Sequence, residues 1–101
     1  MKIRLLRSAR EDLLKGYEFY EAQNPGIGEY FLDSVSADID SLLLYAGIHP
    51  RSWNGYHRML THRFPYAIYY RIAEEEIRIY AVLDCRENPR KHRNRLSSLS
   101  D

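Results

Sequence analysis

Phe64-Pro65-Tyr66-Ala67-Ile68-Tyr69-Tyr70-Arg71-Ile72 and Ile77-Arg78-Ile79-Tyr80-Ala81-Val82-Leu83 are the two stretches that decide the fold. Both are rich in β-branched and aromatic residues, which suit a pleated, half-buried surface. Pro65 cannot donate to a strand ladder, so it marks a turn or an edge, and the strand that follows spans residues 67–72. Glu74-Glu75-Glu76 is a polar connection, and it makes the two runs a hairpin. In the later strand the period of two puts Ile77, Ile79, Ala81 and Leu83 on one face and Arg78, Tyr80 and Val82 on the other. Tyr69 and Tyr70 are neighbours on a strand, so at least one of them is expected to be exposed. A strand of mixed polarity over His57–Phe64 precedes the pair.

Upstream, the period changes from two to 3.6. Ala9, Leu13, Tyr17 and Tyr20 recur at helical spacing, with Leu14 widening the stripe. Ser8 stands three residues before Glu11, the spacing of a capping box. Asn24-Pro25-Gly26 ends this helix near Gln23. A second helix over residues 28–46 places Phe31, Val35, Ile39, Leu42 and Ala46 on one face, with Leu32 and Leu43 beside them, and ends at Gly47. Lys2–Leu6 reads as an opening strand. The order is β-α-α-β-β-β, an α+β chain in which a helical hairpin covers one face of a three-stranded antiparallel meander. The opposite face is expected to be open and lined partly by Arg and Tyr. Residues 1–95 read as one domain and 96–101 as a frayed tail.

Composition narrows the function classes. A chain of 101 residues has room for one core. Its single cysteine builds no disulfide framework, which points to a cytoplasmic setting. No apolar run approaches the ~20 residues that span a bilayer, and Met1–Arg7 is too short and too charged for a signal peptide. The net charge of +1 conceals a split. Residues 1–50 hold 5 basic and 8 acidic side chains, a net of −3, while residues 51–101 hold 10 and 6, a net of +4. Such asymmetry points to a polyanionic or acidic partner for one face.

Neither a nucleophile elbow, a Walker loop, a zincin helix nor a dinucleotide fingerprint is present. His49, His57, His62 and His92 lack metal-ligand spacing, so neither metal nor cofactor is expected. Arg58, His62, Arg63, Tyr66, Arg71, Arg86 and His92 gather in the β half. Such a set could grip phosphate through guanidinium forks and stack bases on tyrosine. It could equally cleave RNA without metal, with arginines stabilising charge on phosphorus and His or Tyr moving protons. A solvated strand surface has the same composition, and composition alone favours that reading.

The two strand motifs, together with Arg86-Glu87-Asn88-Pro89, Ala9-Arg10-Glu11-Asp12-Leu13, Pro25-Gly26 and Gly55-Tyr56-His57-Arg58, resemble the RelE/ParE toxin superfamily over about residues 3–92. The order and spacing of these motifs carry the resemblance, not any one of them. It implies a small bacterial toxin neutralised by a cognate antitoxin as a hetero-oligomer, with a helical hairpin on an antiparallel sheet. RelE-like members cut mRNA in the ribosome, whereas ParE-like members poison DNA gyrase without known hydrolytic activity. On the nuclease pattern Arg58, Arg63, Arg86 and His92 would be the catalytic candidates. Ala67 stands where those nucleases carry an arginine, Leu60 replaces a basic residue, and Phe64-Pro65-Tyr66 looks ParE-like. The ParE-like branch is therefore favoured, with no catalytic residues. Arg58, Arg63, Tyr66, Arg86, Arg90 and Lys91 are the expected contacts to target or antitoxin. The gyrase inhibitor, the ribosome-dependent RNase and a non-toxic antitoxin-binding module are the three readings that the resemblance leaves.

Overall fold

The computed structural model describes residues 1–99; residues 100–101 and the side chain of Trp53 lie outside that description. Strand β1 (Lys2–Leu5) leads into helix α1 (Arg7–Gln23), helix α2 (Ile27–Asp40) and a single turn, α3 (Leu42–Tyr45). A 3-10 turn at Trp53–Gly55 precedes β2 (His57–Leu60), β3 (Tyr66–Ala73) and β4 (Glu76–Asp84), and α4 (Pro89–Ser98) closes the chain. The sheet order is β1-β4-β3-β2. The meander β2-β3-β4 is antiparallel, and β1 joins its β4 edge in parallel. The β-α-α-β-β-β order and the α+β class stand as expected.

The helical hairpin covers one face. Ala9, Leu13 and Tyr20 from α1 and Phe31, Val35 and Ile39 from α2 pack on Tyr66, Ile68, Tyr70, Ile77, Ile79 and Val82. The helices cross closely because Gly16 carries no side chain: a Cβ there would lie 2.5 Å from the Phe31 ring. Their turn is organised by Glu21, whose carboxylate accepts the Gly26 N–H at 3.1 Å and the Gly28 N–H at 3.0 Å. That places a negative charge at the start of α2, where the helix dipole favours it. Gly26, at φ +95, makes the left-handed turn that the entry to α2 requires.

Several expectations fail, each for a local reason. The Ser8–Glu11 capping box does not form. Leu6 occupies the cap position without a side-chain bond, and Ser8 Oγ donates instead to the Tyr80 carbonyl at 2.6 Å. Leu14 is 56% exposed, and the stripe runs through Gly16 and Asp12 instead. The second helix breaks at Ser41, separating α2 from α3, and Leu43 on α3 is exposed. The first meander strand stops at Leu60, not Phe64. Asp38 of α2 draws the following loop away by accepting the His62 N–H at 3.0 Å and contacting His62 Nδ1 at 2.5 Å.

The face assignment in β4 also changes midway. Tyr69 pairs with Ala81 but Tyr70 pairs with Ile79, so Tyr80 is an extra, bulged residue. A bulge inverts the side-chain alternation beyond it. Ile77 and Ile79 therefore face the helices, while Ala81 and Leu83 face away and Val82 faces in.

The second sheet face is not open. Helix α4 lies over part of it, and Leu96 packs with Tyr56, Ala67, Tyr69, Tyr80, Ala81 and Leu83. Tyr69 and Tyr70 are consequently both buried, one under α4 and one under the hairpin. The tail expected from residue 96 begins later, because α4 runs to Ser98 and Leu96 is buried. Residues 100–101 of that expected tail lie outside the described residues.

Candidate functional site

Arg58 and His92 meet at Tyr69. Arg58 projects from β2 and its Nε–H donates to the Tyr69 hydroxyl at 3.1 Å. The same hydroxyl lies 2.9 Å from His92 Nδ1, and His92 Nε2 lies 2.8 Å from the Asp84 carbonyl. A carbonyl only accepts, so Nε2 carries the hydrogen; in the neutral ring Nδ1 is then an acceptor. Arg58, Tyr69, His92 and the Asp84 carbonyl thus form one connected chain of hydrogen bonds. Both imidazole nitrogens are committed to holding α4 on the sheet.

This cluster lines a cleft of about 280 Å³ with Ser52, Cys85, Glu87 and Arg93. Cys85 Sγ is 3.7 Å from the Arg58 guanidinium. Burial pushes the thiol pKa up, and the guanidinium pulls the other way. The result is a thiol held in its neutral, weakly nucleophilic form.

Arg86 and Arg63 lie elsewhere. Asp84 holds the Arg86 guanidinium in a fork, accepting from Nε at 3.0 Å and from a terminal nitrogen at 2.7 Å, and also accepts the Arg86 backbone N–H at 2.8 Å. Arg86 holds the Asp84 carboxyl below the usual carboxylate range, and Asp84 in turn raises the Arg86 pKa. The same guanidinium lies 3.4 Å from the Tyr20 hydroxyl, in the layer beneath the helical hairpin, on the other face of the sheet from Leu96. Tyr66 is in that layer too, 7% exposed, with its ring tilted against Tyr20 and edge-on to Phe31. Arg63 sits on the loop before β3 and donates to the Tyr30 hydroxyl of α2 at 2.8 Å. Arg90 and Lys91 are exposed on the first turn of α4. Of the four nuclease candidates, the fold brings only Arg58 and His92 together. Of the six expected contact residues, Arg58 is partly buried and Tyr66 almost wholly so, while Arg63, Arg86, Arg90 and Lys91 reach solvent.

Two buried acids, Asp12 and Asp38, carry no signal in the sequence. Asp12 of α1 accepts the Val82 N–H at 3.0 Å and pairs with Arg95 of α4 at 2.7 Å. It lines a cleft of about 330 Å³ with Lys15, Gly16, Phe19, Tyr66, Asp84 and Glu87. Nothing in the spacing of residues 9–13 distinguishes Asp12 from a solvent-facing acid. Only the packing of α4 and the bulged β4 against α1 gives it partners. No group of three His, Cys, Asp or Glu side chains among the described residues could hold a metal ion. No described helix is long and apolar enough to cross a membrane.

Comparison with known proteins agrees with this architecture. A chain described as "Chromosomal ParDE TA system from P. aeruginosa" shares the fold with a TM-score of 0.76 at 22% identity, over 81% of this chain and 92% of that one. No curated protein sequence matches. The model of the ParE toxin of the type II toxin–antitoxin system parDE matches residues 3–89. With strand, helical hairpin and meander all inside that match, this chain belongs to the ParE toxin family of type II toxin–antitoxin systems.

Proposed function

We propose that the chain is a ParE-like toxin that inhibits DNA gyrase in the cytoplasm and is neutralised by a cognate antitoxin in a hetero-oligomer. The observation that carries the gyrase branch is the dispersal of the nuclease set. A charge-stabilising arginine at a phosphoryl site is commonly worth ~10²–10³ in rate. Here Arg86 is forked to Asp84 and Arg63 is tied to Tyr30, and neither guanidinium bonds to His92 or to Tyr69. His92 itself has both nitrogens engaged. A toxin without an assembled hydrolytic centre acts by binding, which suits a topoisomerase poison.

The RNase reading retains one supporting observation, the Arg58–Tyr69–His92 chain. Purified protein added to gyrase supercoiling reactions should block supercoiling or accumulate cleaved DNA. The RNase reading instead expects primer extension after induction to reveal cuts within translated codons, abolished by Arg86→Ala. Unimpaired growth on overexpression would favour a chain that only binds its antitoxin.

A further inference from the structure

Helix α4 carries three cations that no carboxylate among the described residues answers. Arg90, Lys91 and Arg93 are exposed, and none makes an ion pair among the described residues. The other basic residues near them are engaged: Arg95 with Asp12, Arg86 with Asp84, and Arg58 with Tyr69. Arg90 and Lys91 also stand in the first turn of α4, which holds no acid and follows an Asn88 cap that accepts the Arg90 N–H at 2.9 Å. Cations there work against the helix dipole. No carboxylate among the described residues pairs with them, and an external anion would.

The cationic face is rigidly mounted. On its inner side α4 is fixed by buried Leu96, by both nitrogens of His92 and by the Arg95–Asp12 pair. Arg95 also reaches the Ser8 carbonyl at 3.3 Å. The start of α1, with exposed Arg7 and Arg10, therefore lies beside the same helix. Glu87 stands outside α4, just before its cap.

The outer surface also indicates the partner. Beyond Pro89, its exposed residues are Arg90, Lys91, Arg93, Asn94, Ser97 and Ser98, with no large apolar side chain. A protein interface is built round an apolar or aromatic centre. Arg, Lys, Ser and Asn without one are the side chains that contact phosphates. We propose that the outer face of α4 binds the sugar–phosphate backbone of duplex DNA through Arg90, Lys91 and Arg93. Most of α4 lies beyond the residues 3–89 that the family model matches. In the cell the duplex would be the segment handled by gyrase; that setting rests on the reading above, while the contact itself rests on α4.

Fluorescence anisotropy of the full chain with a labelled duplex of about two helical turns tests this directly. Between about 50 and 200 mM salt, three phosphate contacts predict a slope of log affinity against log salt of about −2.7. Arg90→Glu/Lys91→Glu/Arg93→Glu should lose at least tenfold in affinity at the low-salt end and flatten the slope, with its thermal melt unchanged. If that variant misfolds, the triple Gln variant replaces it and should show the same loss. No wild-type binding at the lowest salt, or equal binding by the folded variant, would overturn the proposal. So would binding of poly-glutamate in place of the duplex, which would make α4 a receiver of acidic protein. Duplex binding by a wild-type protein that leaves gyrase untouched would remove the gyrase reading and support the contact. Gyrase inhibition by a protein that binds no duplex would do the reverse.

Discussion

Asp12 is almost wholly out of water, and its two hydrogen-bond partners, helped by the charge of Lys15, reconcile it with that position. Burial pushes its carboxyl pKa up, while the Val82 N–H and Arg95 oppose the rise. The two partners of the ion pair are not equivalent. Removing Arg95 strands a buried carboxylate, which costs about 1–3 kcal/mol. Removing the charge at Asp12 strands only a partly exposed guanidinium, which water can still reach. Arg95→Ala should therefore destabilise the fold more than Asp12→Asn in urea denaturation at neutral pH. Tyr66 gives a pH signature from the same layer. Burial, helped by Tyr20 and Asp84, pushes its phenol pKa from the ordinary 10 up to about 12. From pH 10 to 12 the unfolded chain releases this proton before the folded one does. Stability should therefore fall across that window, by up to about 1.4 kcal/mol per pH unit from this group. Tyr66→Phe should lose less stability than wild type between pH 8 and 11 in the same denaturation series. Tyr70, whose phenol pKa is also raised by burial, leaves a residual slope in the variant. Neither residue's role is visible in sequence, since each depends on a layer built from elements far apart in the chain.

At the scale of elements, the long periodic segments were legible and their irregularities were not. The α1 boundary at Gln23 follows from Asn24-Pro25-Gly26, and the β3–β4 hairpin follows from its alternation. The bulge at Tyr80, whose carbonyl holds Ser8, and the early end of β2, where Asp38 holds His62, involve tertiary partners that local patterning does not encode. Helix α4 was not legible in the basic stretch from Arg90 to Arg95, because only His92 and Leu96 of its residues are buried. Two buried residues in ten give little helical periodicity to read. The hairpin itself carries strain. Glu74 and Glu75 occupy left-handed conformations at φ 53 and 61, the pair that a two-residue turn of mirror-image type demands. Glu74→Asn/Glu75→Gly should stabilise the protein by about 1 kcal/mol by relieving that strain. The lost Glu74–Arg78 contact at 3.6 Å is exposed, and Arg78 keeps Glu76 at 3.0 Å. A melting temperature equal to or below that of wild type would mean that the turn is not strained.

Across the whole molecule, the net charge of +1 is a cancellation between elements. Most acids of α1 and α2 face solvent on the helical layer, with Asp12 and Asp38 buried, and α4, whose inner side closes the second sheet face, carries three exposed cations without an ion pair among the described residues. The expected candidate site was an open Arg/Tyr sheet face; the fold divides that set among two buried layers and two surfaces. The division bears on mechanism, because a hydrolytic centre needs its groups in one place and a binding toxin does not. Supercoiling of relaxed plasmid by purified gyrase, titrated with wild-type protein and with Arg58→Ala, tests this most directly. Both proteins should inhibit supercoiling at similar concentrations. Gyrase unaffected by micromolar toxin, with translated mRNA cut by the wild type and spared by the variant, would contradict it.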